Sequence, residues 1–252
     1  MRTILTAGNW KMNCTIDEAV QLSTSLRQSL NSLTSGEVAL CPTFLALQAV
    51  KDVLLGTSIR LGAQDAFYED SGAYTGAVSA AMLAGLCEYV IVGHSERRRL
   101  FGDNDEIVTK KVVALIQHGI TPILCVGETL EEFEQDLTSK VLERQMMTVL
   151  QTVKPTNALV VAYEPVWAIG TGKSANPESV NETVARIRAL IAEAWGVQLA
   201  GSIRILYGGS VSADNVEAFV GQAEIDGTLV GGASLRPGEF SDIVLRSTEG
   251  LR

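Results

Sequence analysis

The sequence predicts an α/β chain whose strand-helix units fit a single-domain (β/α)8 barrel over residues 1–252, and three observations carry that reading. Short apolar, β-branched runs recur along the whole chain, and helical patterns with legible ends lie between them. The polar residues able to do chemistry stand just after the runs, where strands give way to loops. A chain of 252 residues, 46% hydrophobic and 19% charged, is long enough for so large a core, and no linker or low-complexity stretch divides it. The first two observations leave an open, doubly wound sheet standing as a competitor. The third favours closure, because residues at the ends of all the strands converge on one mouth only if the sheet closes.

The eight runs are 3–7, 37–41, 59–63, 89–93, 120–127, 158–164, 204–209 and 227–232. Each is continuously apolar rather than alternating, as parallel strands buried on both faces are. After the first, Thr15-Ile16-Asp17-Glu18 fits a capping box, and Ala19, Leu22, Leu26, Leu30 and Leu33 follow at helical spacing before Gly36. The fourth interval carries Val108, Val112, Leu115 and Ile116 and stops at Gly119, with His118 read as a C-terminal cap. The fifth carries Leu142, Met146, Val149, Leu150 and Val153 before Pro155. In the sixth, Asn176 caps, Pro177 occupies the first helical position, and Val180, Val184, Ile187, Ile191 and Trp195 form the buried stripe before Gly196. The second, third, seventh and eighth helices read as shorter.

Composition excludes several classes of partner. A net charge of −9 repels phosphate backbones and anionic membrane surfaces, so neither nucleic acid nor membrane is expected, while a small anion remains possible at a locally positive site. Cys14, Cys41, Cys87 and Cys125 form no C-x-x-C pair and read as free thiols of a reducing compartment. The N-terminus lacks a signal-like apolar run and no stretch approaches the roughly 18 apolar residues of a span, so a cytoplasmic protein is expected.

Glu164 ends the sixth run beside Pro165 and Trp167, where partial desolvation would raise its pKa and make it a usable general base; a solvated strand-end glutamate is the plainer alternative. His94 follows the fourth run, and a short helix beginning there would set helix-end N–H groups beside the ring and keep it neutral; a satisfied structural histidine competes. Lys11, just past the first run, reads equally as a surface lysine with a snorkelling stem, but an anion site in so acidic a chain needs a cation. Gly208-Gly209, before Ser210, and Gly231-Gly232 close the seventh and eighth runs, where barrels commonly seat a phosphate on main-chain N–H groups and a helix N-terminus. A base, a neutral electrophile, a lysine and a phosphate cradle together suggest proton abstraction next to a carbonyl in a small phosphorylated metabolite.

At these residues the sequence resembles the triosephosphate isomerase family, on "GNWKMN" (8–13), "GAYTG" (72–76), "VGHSERR" (92–98), "CVGETLEE" (125–132), "AYEPVWAIGTGK" (162–173), "YGGSV" (207–211) and "DGTLVGGASL" (226–235). The motifs run in order across essentially the whole chain. The resemblance implies a TIM barrel that interconverts dihydroxyacetone phosphate and glyceraldehyde 3-phosphate through an enediol or enediolate, with no metal or organic cofactor. It implies Glu164 as the base, His94 as the neutral electrophile, Lys11 as the balancing charge, Asn9 assisting at the oxygen, and Glu96 at a functionally important position. It implies phosphate contacts at Gly170, Ser210, Gly231 and Gly232. The segment 166–175 resembles the family's closing lid, with hinges Pro165-Val166-Trp167 and Lys173-Ser174-Ala175 around Ala168, Ile169, Gly170, Thr171 and Gly172.

A homodimer is implied as well, with Thr75 approaching the partner's site and Tyr74 and Cys14 at the interface. Ala77 stands where the family often has an acid that meets an arginine of the partner's "SERR", Asp103 where a glutamate is usual, and Tyr74 where phenylalanine is common, so one charged interface contact is expected to be lost. Another phosphate-binding barrel isomerase would share the glycine cradle but not the joint motif set. A non-catalytic barrel that binds a sugar phosphate predicts a lost base, lysine or histidine, yet all three are present.

Overall fold

Each apolar run becomes a strand because both of its faces find cover. The computed structural model describes residues 2–31, 33–168 and 175–249. The strands are β1 (Leu5–Asn9), β2 (Glu37–Cys41), β3 (Arg60–Ala63), β4 (Tyr89–Val92), β5 (Thr121–Val126), β6 (Val160–Tyr163), β7 (Arg204–Tyr207) and β8 (Gly227–Val230). They pair in parallel in sequence order, and β8 returns to β1 with Leu5 opposite Gly227, so the sheet closes and the open alternative falls. Leu5, Ala7, Ile91, Ile123, Ala162 and Leu229 fill the barrel. The intervening residues, such as Leu40, Val90, Leu124, Val161 and Ile205, point outward into the helical layer. Each large aliphatic side chain so buried contributes about 1.5–3 kcal/mol relative to exposure.

The surrounding helices are α1 (Ile16–Leu30), α2 (Leu47–Leu54), α3 (Ala80–Leu83), α4 (Ser95–Phe101), α5 (Asp105–Gln117), α6 (Leu130–Glu134), α7 (Thr138–Leu150), α8 (Pro177–Trp195), α9 (Val197–Ala200), α10 (Val216–Val220) and α11 (Pro237–Glu249). The expected caps form: Thr15 and Glu18 close a reciprocal box at the start of α1, and Asn176 accepts from the Ser179 N–H with Pro177 at the first helical position. His118 is the C-cap of α5, but its ring turns to Asp70, Nε2 lying 2.7 Å from Oδ1.

Two expectations need correction. The first strand runs to Asn9 rather than Ala7: Gly8 and Asn9 are not apolar, yet they pair with Leu40 and Cys41, and the Phe240 ring packs against Gly8. The extension makes Asn9 a strand residue at the barrel mouth. The eighth helix is long, not short, because Ser247 and Thr248 return their hydroxyls to carbonyls of the preceding turn and so lie buried in a face shared with Phe240, Ile243 and Val244. Hydroxyls satisfied within the helix interrupt the apolar pattern without interrupting the burial.

Candidate active site

The strand ends hold the polar residues in one mouth. Glu164 directly follows β6, and its N–H donates to the Val126 carbonyl at 2.8 Å. A Cβ on Gly127 would fall 1.8 Å from the Glu164 carbonyl oxygen, and one on Gly208 would fall 2.9 Å from its Cγ. Glycines at the ends of β5 and β7 therefore admit the glutamate between them. Its carboxylate is buried, with Oε2 accepting from the Ser95 N–H at 3.0 Å and Oε1 3.0 Å from His94 Nε2.

That geometry reverses the pKa shift expected for Glu164. Burial alone pushes Glu164 up, but His94, the Ser95 N–H and Lys11 together outweigh it and hold the carboxyl below its ordinary value. His94 is the N-cap of α4, as the sequence suggests, and its Nδ1 accepts from the Glu96 N–H at 3.2 Å. An accepting Nδ1 assigns the proton of the neutral ring to Nε2, pointing at Glu164. Burial depresses the imidazole, yet the Glu164 carboxylate, helped by Glu96, outweighs it and raises the pKa, so the neighbouring charge overrides the helix-end N–H groups.

Lys11 adopts a left-handed backbone, φ 52°, a conformation that costs a non-glycine residue about 1–3 kcal/mol. Its own N–H donates to Asn9 Oδ1 at 3.0 Å, while Gln64 Nε2 donates to its carbonyl at 2.8 Å and to that of Cys41 at 2.9 Å. The ammonium thus leaves the strand aimed at Glu96 Oε1, 2.7 Å away. Gln64 was not legible in the sequence: a lone glutamine after a strand has no motif, and its role exists only because β2 and β3 bring Cys41 beside it.

Asn9, Lys11, His94 and Glu164 line a cavity of about 530 Å³ together with Ser210, Gly231 and Gly232, and the Lys11 stem passes beside Gly231, where a Cβ would fall 3.3 Å from its Cε. Among the described residues, the N–H groups of Gly231 and Gly232 donate to no acceptor. The turn after β8 is a single 3₁₀ turn, Gly232–Leu235, so what this edge of the cavity has to offer an anion is unengaged N–H groups rather than the dipole of a long helix. A second cavity of about 560 Å³ reaches Glu164 from the α4 side past Ser95 and Gly127, but lacks Asn9, His94 and the glycine pair, so the chemistry belongs to the first. No group of three or more His, Cys, Asp or Glu placed to hold a metal occurs among the described residues.

Beyond Glu164, Pro165 leads into the 3₁₀ turn Val166–Ala168. Trp167 donates Nε1 to Glu128 Oε1 at 2.9 Å and stacks on Phe133, ring centroids 4.6 Å apart. Tyr163 also donates its hydroxyl to Glu128, at 3.1 Å, and burial lifts that carboxyl above its usual range against the pull of these donors. Glu128 thus ties the Val166–Ala168 turn to the end of β6, a contact visible in the sequence only as a post-strand acid. Ala168 and Ala175 are buried, while Ile169, Gly170, Thr171, Gly172, Lys173 and Ser174 lie outside the described residues.

Thr75, Tyr74 and Cys14 do not line the cavity. Thr75 and Tyr74 are exposed on the loop before α3, with Tyr74 leaning on Phe67 at 4.6 Å. Cys14 is partly buried, and burial together with Glu18 pushes its thiol up, away from the reactive thiolate.

Comparison with known proteins agrees with this geometry. The profile of the family described as "Triosephosphate isomerase" matches residues 4–247. A protein of that name from Dehalococcoides mccartyi is 46% identical over 249 residues, covering 99% of each chain. Those of Clostridium beijerinckii and Symbiobacterium thermophilum are each 48% identical, over 97% and 99% of this chain and 99% and 98% of their own. With the barrel closed, the strand-end residues gathered and the match running end to end, the chain belongs to the triosephosphate isomerase family.

Proposed function

We infer that this chain interconverts dihydroxyacetone phosphate and D-glyceraldehyde 3-phosphate by proton transfer through an enediol(ate), with Glu164 as the base. The observation that carries the roles is the convergence of a buried carboxylate, an Nε2–H imidazole and a lysine on a cavity whose lining also includes two residues with unengaged main-chain N–H groups. The substrate phosphate takes the N–H groups of Gly231 and Gly232, with Ser210 beside them and Gly170 as the lid's contribution. Its carbonyl oxygen then faces His94, Asn9 and Lys11. Glu164 removes a proton from the carbon next to that carbonyl; the C–H electron pair becomes the C=C bond, and the carbonyl pair moves to oxygen. The hydroxyl proton moves from the first carbon's oxygen to the oxygen that took the charge. The same carboxyl returns its proton to the neighbouring carbon as the C=C pair forms that C–H bond and the first carbon's oxygen becomes the carbonyl.

The resting contacts of Glu164 tune this step. To reach substrate the carboxylate must leave the Ser95 N–H and His94, the partners that hold its pKa down, while its burial persists. Its proton affinity therefore rises as it engages carbon, which matches the base to the task. Glu96 sits where it orders Lys11, accepting from Nζ at 2.7 Å. Exclusion of water from the enediolate is the task that the family resemblance assigns to 166–175, of which 169–174 lie outside the described residues.

The homodimer is part of the same reading. Exposed apolar side chains follow the four neighbouring strands β1 to β4: Met12, Leu45, Tyr74 and Met82, then Leu100 and Phe101. Such a contiguous flank suits a partner. Arg97 is already held by Asp65 and Asp103 and Arg98 by Asp105, all of the same chain, so the alanine at position 77 leaves neither arginine wanting a carboxylate. The flank therefore associates by apolar contact, and sedimentation at submicromolar concentration is expected to show a dimer; a fully active monomer there would refute it. Four free cysteines suit a cytoplasmic setting.

Conversion run in deuterium oxide tests the reaction. Product and recovered substrate should carry solvent deuterium on carbon, since a carboxyl that holds the proton between two carbons exchanges it. A chain that binds triose phosphate yet exchanges and converts nothing would be a sugar-phosphate-binding barrel instead.

A further inference from the structure

Two cations on the cavity wall rest against carboxylates: Lys11 against Glu96, and Arg236 against Glu239. The first pair belongs to the chemistry already described, whereas the second has no part in it. Arg236 closes the 3₁₀ turn that begins at Gly232, and its Nη1 reaches back to within 3.4 Å of the Gly232 carbonyl. Pro237 follows, and the extended backbone of Arg236, φ −108° and ψ 103°, is the one a residue before proline favours. The guanidinium is thereby held at the rim of the glycine pair, exposed, with Nε and Nη2 donating to the half-buried Glu239 on the first turn of α11.

The charge on the cavity wall makes this rim pair matter. Lys11 and Arg236 are positive, Glu164 and Glu239 negative, so the formal charges of the lining cancel within a chain of net −9. A phosphate dianion is attracted only as far as that local balance allows.

We propose that Arg236 is a second cation for the substrate phosphate at the rim of the Gly231–Gly232 seat, and that Glu239 is its resting counter-ion, which weakens phosphate binding and speeds release. The proposal rests on the reading of those glycines as the phosphate seat. Arginine suits the task, because its planar fork turns from one oxyanion to another without a change of charge. In the free protein the fork lies on Glu239; with phosphate seated, it exchanges that carboxylate for a phosphate oxygen.

Competitive inhibition by inorganic phosphate, measured with KM at low and high ionic strength, tests this. Arg236→Gln should weaken phosphate and raise KM by about 3- to 10-fold, and Glu239→Gln should tighten phosphate and lower KM by about 2- to 5-fold. Both differences should shrink as salt rises, because the rim is exposed to screening, and Arg236→Lys should recover most of the loss. Opposite signs for the two substitutions are the signature, since a packing role would weaken binding in both. Weakening in both, or an unmoved inhibition constant in both, overturns the rim pair. Should Arg236→Gln fail to fold, the sign of Glu239→Gln alone decides. Phosphate that does not compete with substrate in the unsubstituted protein would instead sink the seat.

Discussion

Glu164→Gln is expected to leave the barrel folded and to slow isomerisation by about 10²- to 10⁴-fold, the range a positioned general base supplies. The amide is close to isosteric, so it keeps an oxygen for the Ser95 N–H and fits between Gly127 and Gly208. What it lacks is proton affinity. Glu164→Asp asks the complementary question by retaining the carboxylate and withdrawing it about one methylene, and ~1 Å of misplacement costs ~100-fold. The glutamine variant also has a readout that does not depend on turnover. Glu164 is what raises the His94 pKa against the effect of burial, so titration of the ring by NMR should show its pKa falling when the charge is removed. The sign follows directly: without the carboxylate the imidazolium loses its main stabilising partner and gives up its proton at lower pH. A rapid Glu164→Gln enzyme would mean that another group is the base, and an unmoved His94 titration would mean that the pair is not coupled as the 3.0 Å contact requires.

Lys11→Met should be the next most damaging change, raising KM and lowering kcat together for a combined loss of about 10²- to 10³-fold, the scale of one preorganised electrostatic donor. Methionine keeps much of the stem, and the left-handed backbone remains supported by Asn9 and Gln64, so the substitution removes chiefly the charge. The loss is compounded because Glu96 Oε1 is left without its cation, and a bare carboxylate then faces an incoming dianion. Steady-state kinetics separate the parts: a KM within about 3-fold of the parent would show that Lys11 does not bind the ground state. A kcat unchanged as well would remove it from the mechanism.

Most of the architecture could be read from residues. The eight apolar runs, the Thr15–Glu18 box and the Asn176-Pro177 start all reappear, because each is a local device whose physics needs no partner from elsewhere in the chain. Asn9, Lys11, His94, Glu96, Glu164 and the two glycine pairs were legible for a related reason. A (β/α)8 sheet directs its strand ends to one mouth, so order along the chain becomes proximity in space. The hidden helix face at Ser247 and Thr248 was not legible, since a hydroxyl bonded within its own helix looks polar in sequence and is buried in fact.

The sequence by itself therefore determined the strand order, the family and which polar residues stand at the strand ends. Only the tertiary structure decided their electrostatic state. Whether Glu164 is raised or lowered depends on the Ser95 N–H and His94 standing 3.0 Å away, contacts made across β4 and β6, which Thr121–Val126 separates in the sheet. The same holds for Gln64 beneath Lys11 and Glu128 behind Trp167. Burial and charge act through distance, and distances between strands are set by closure of the barrel rather than by separation along the chain.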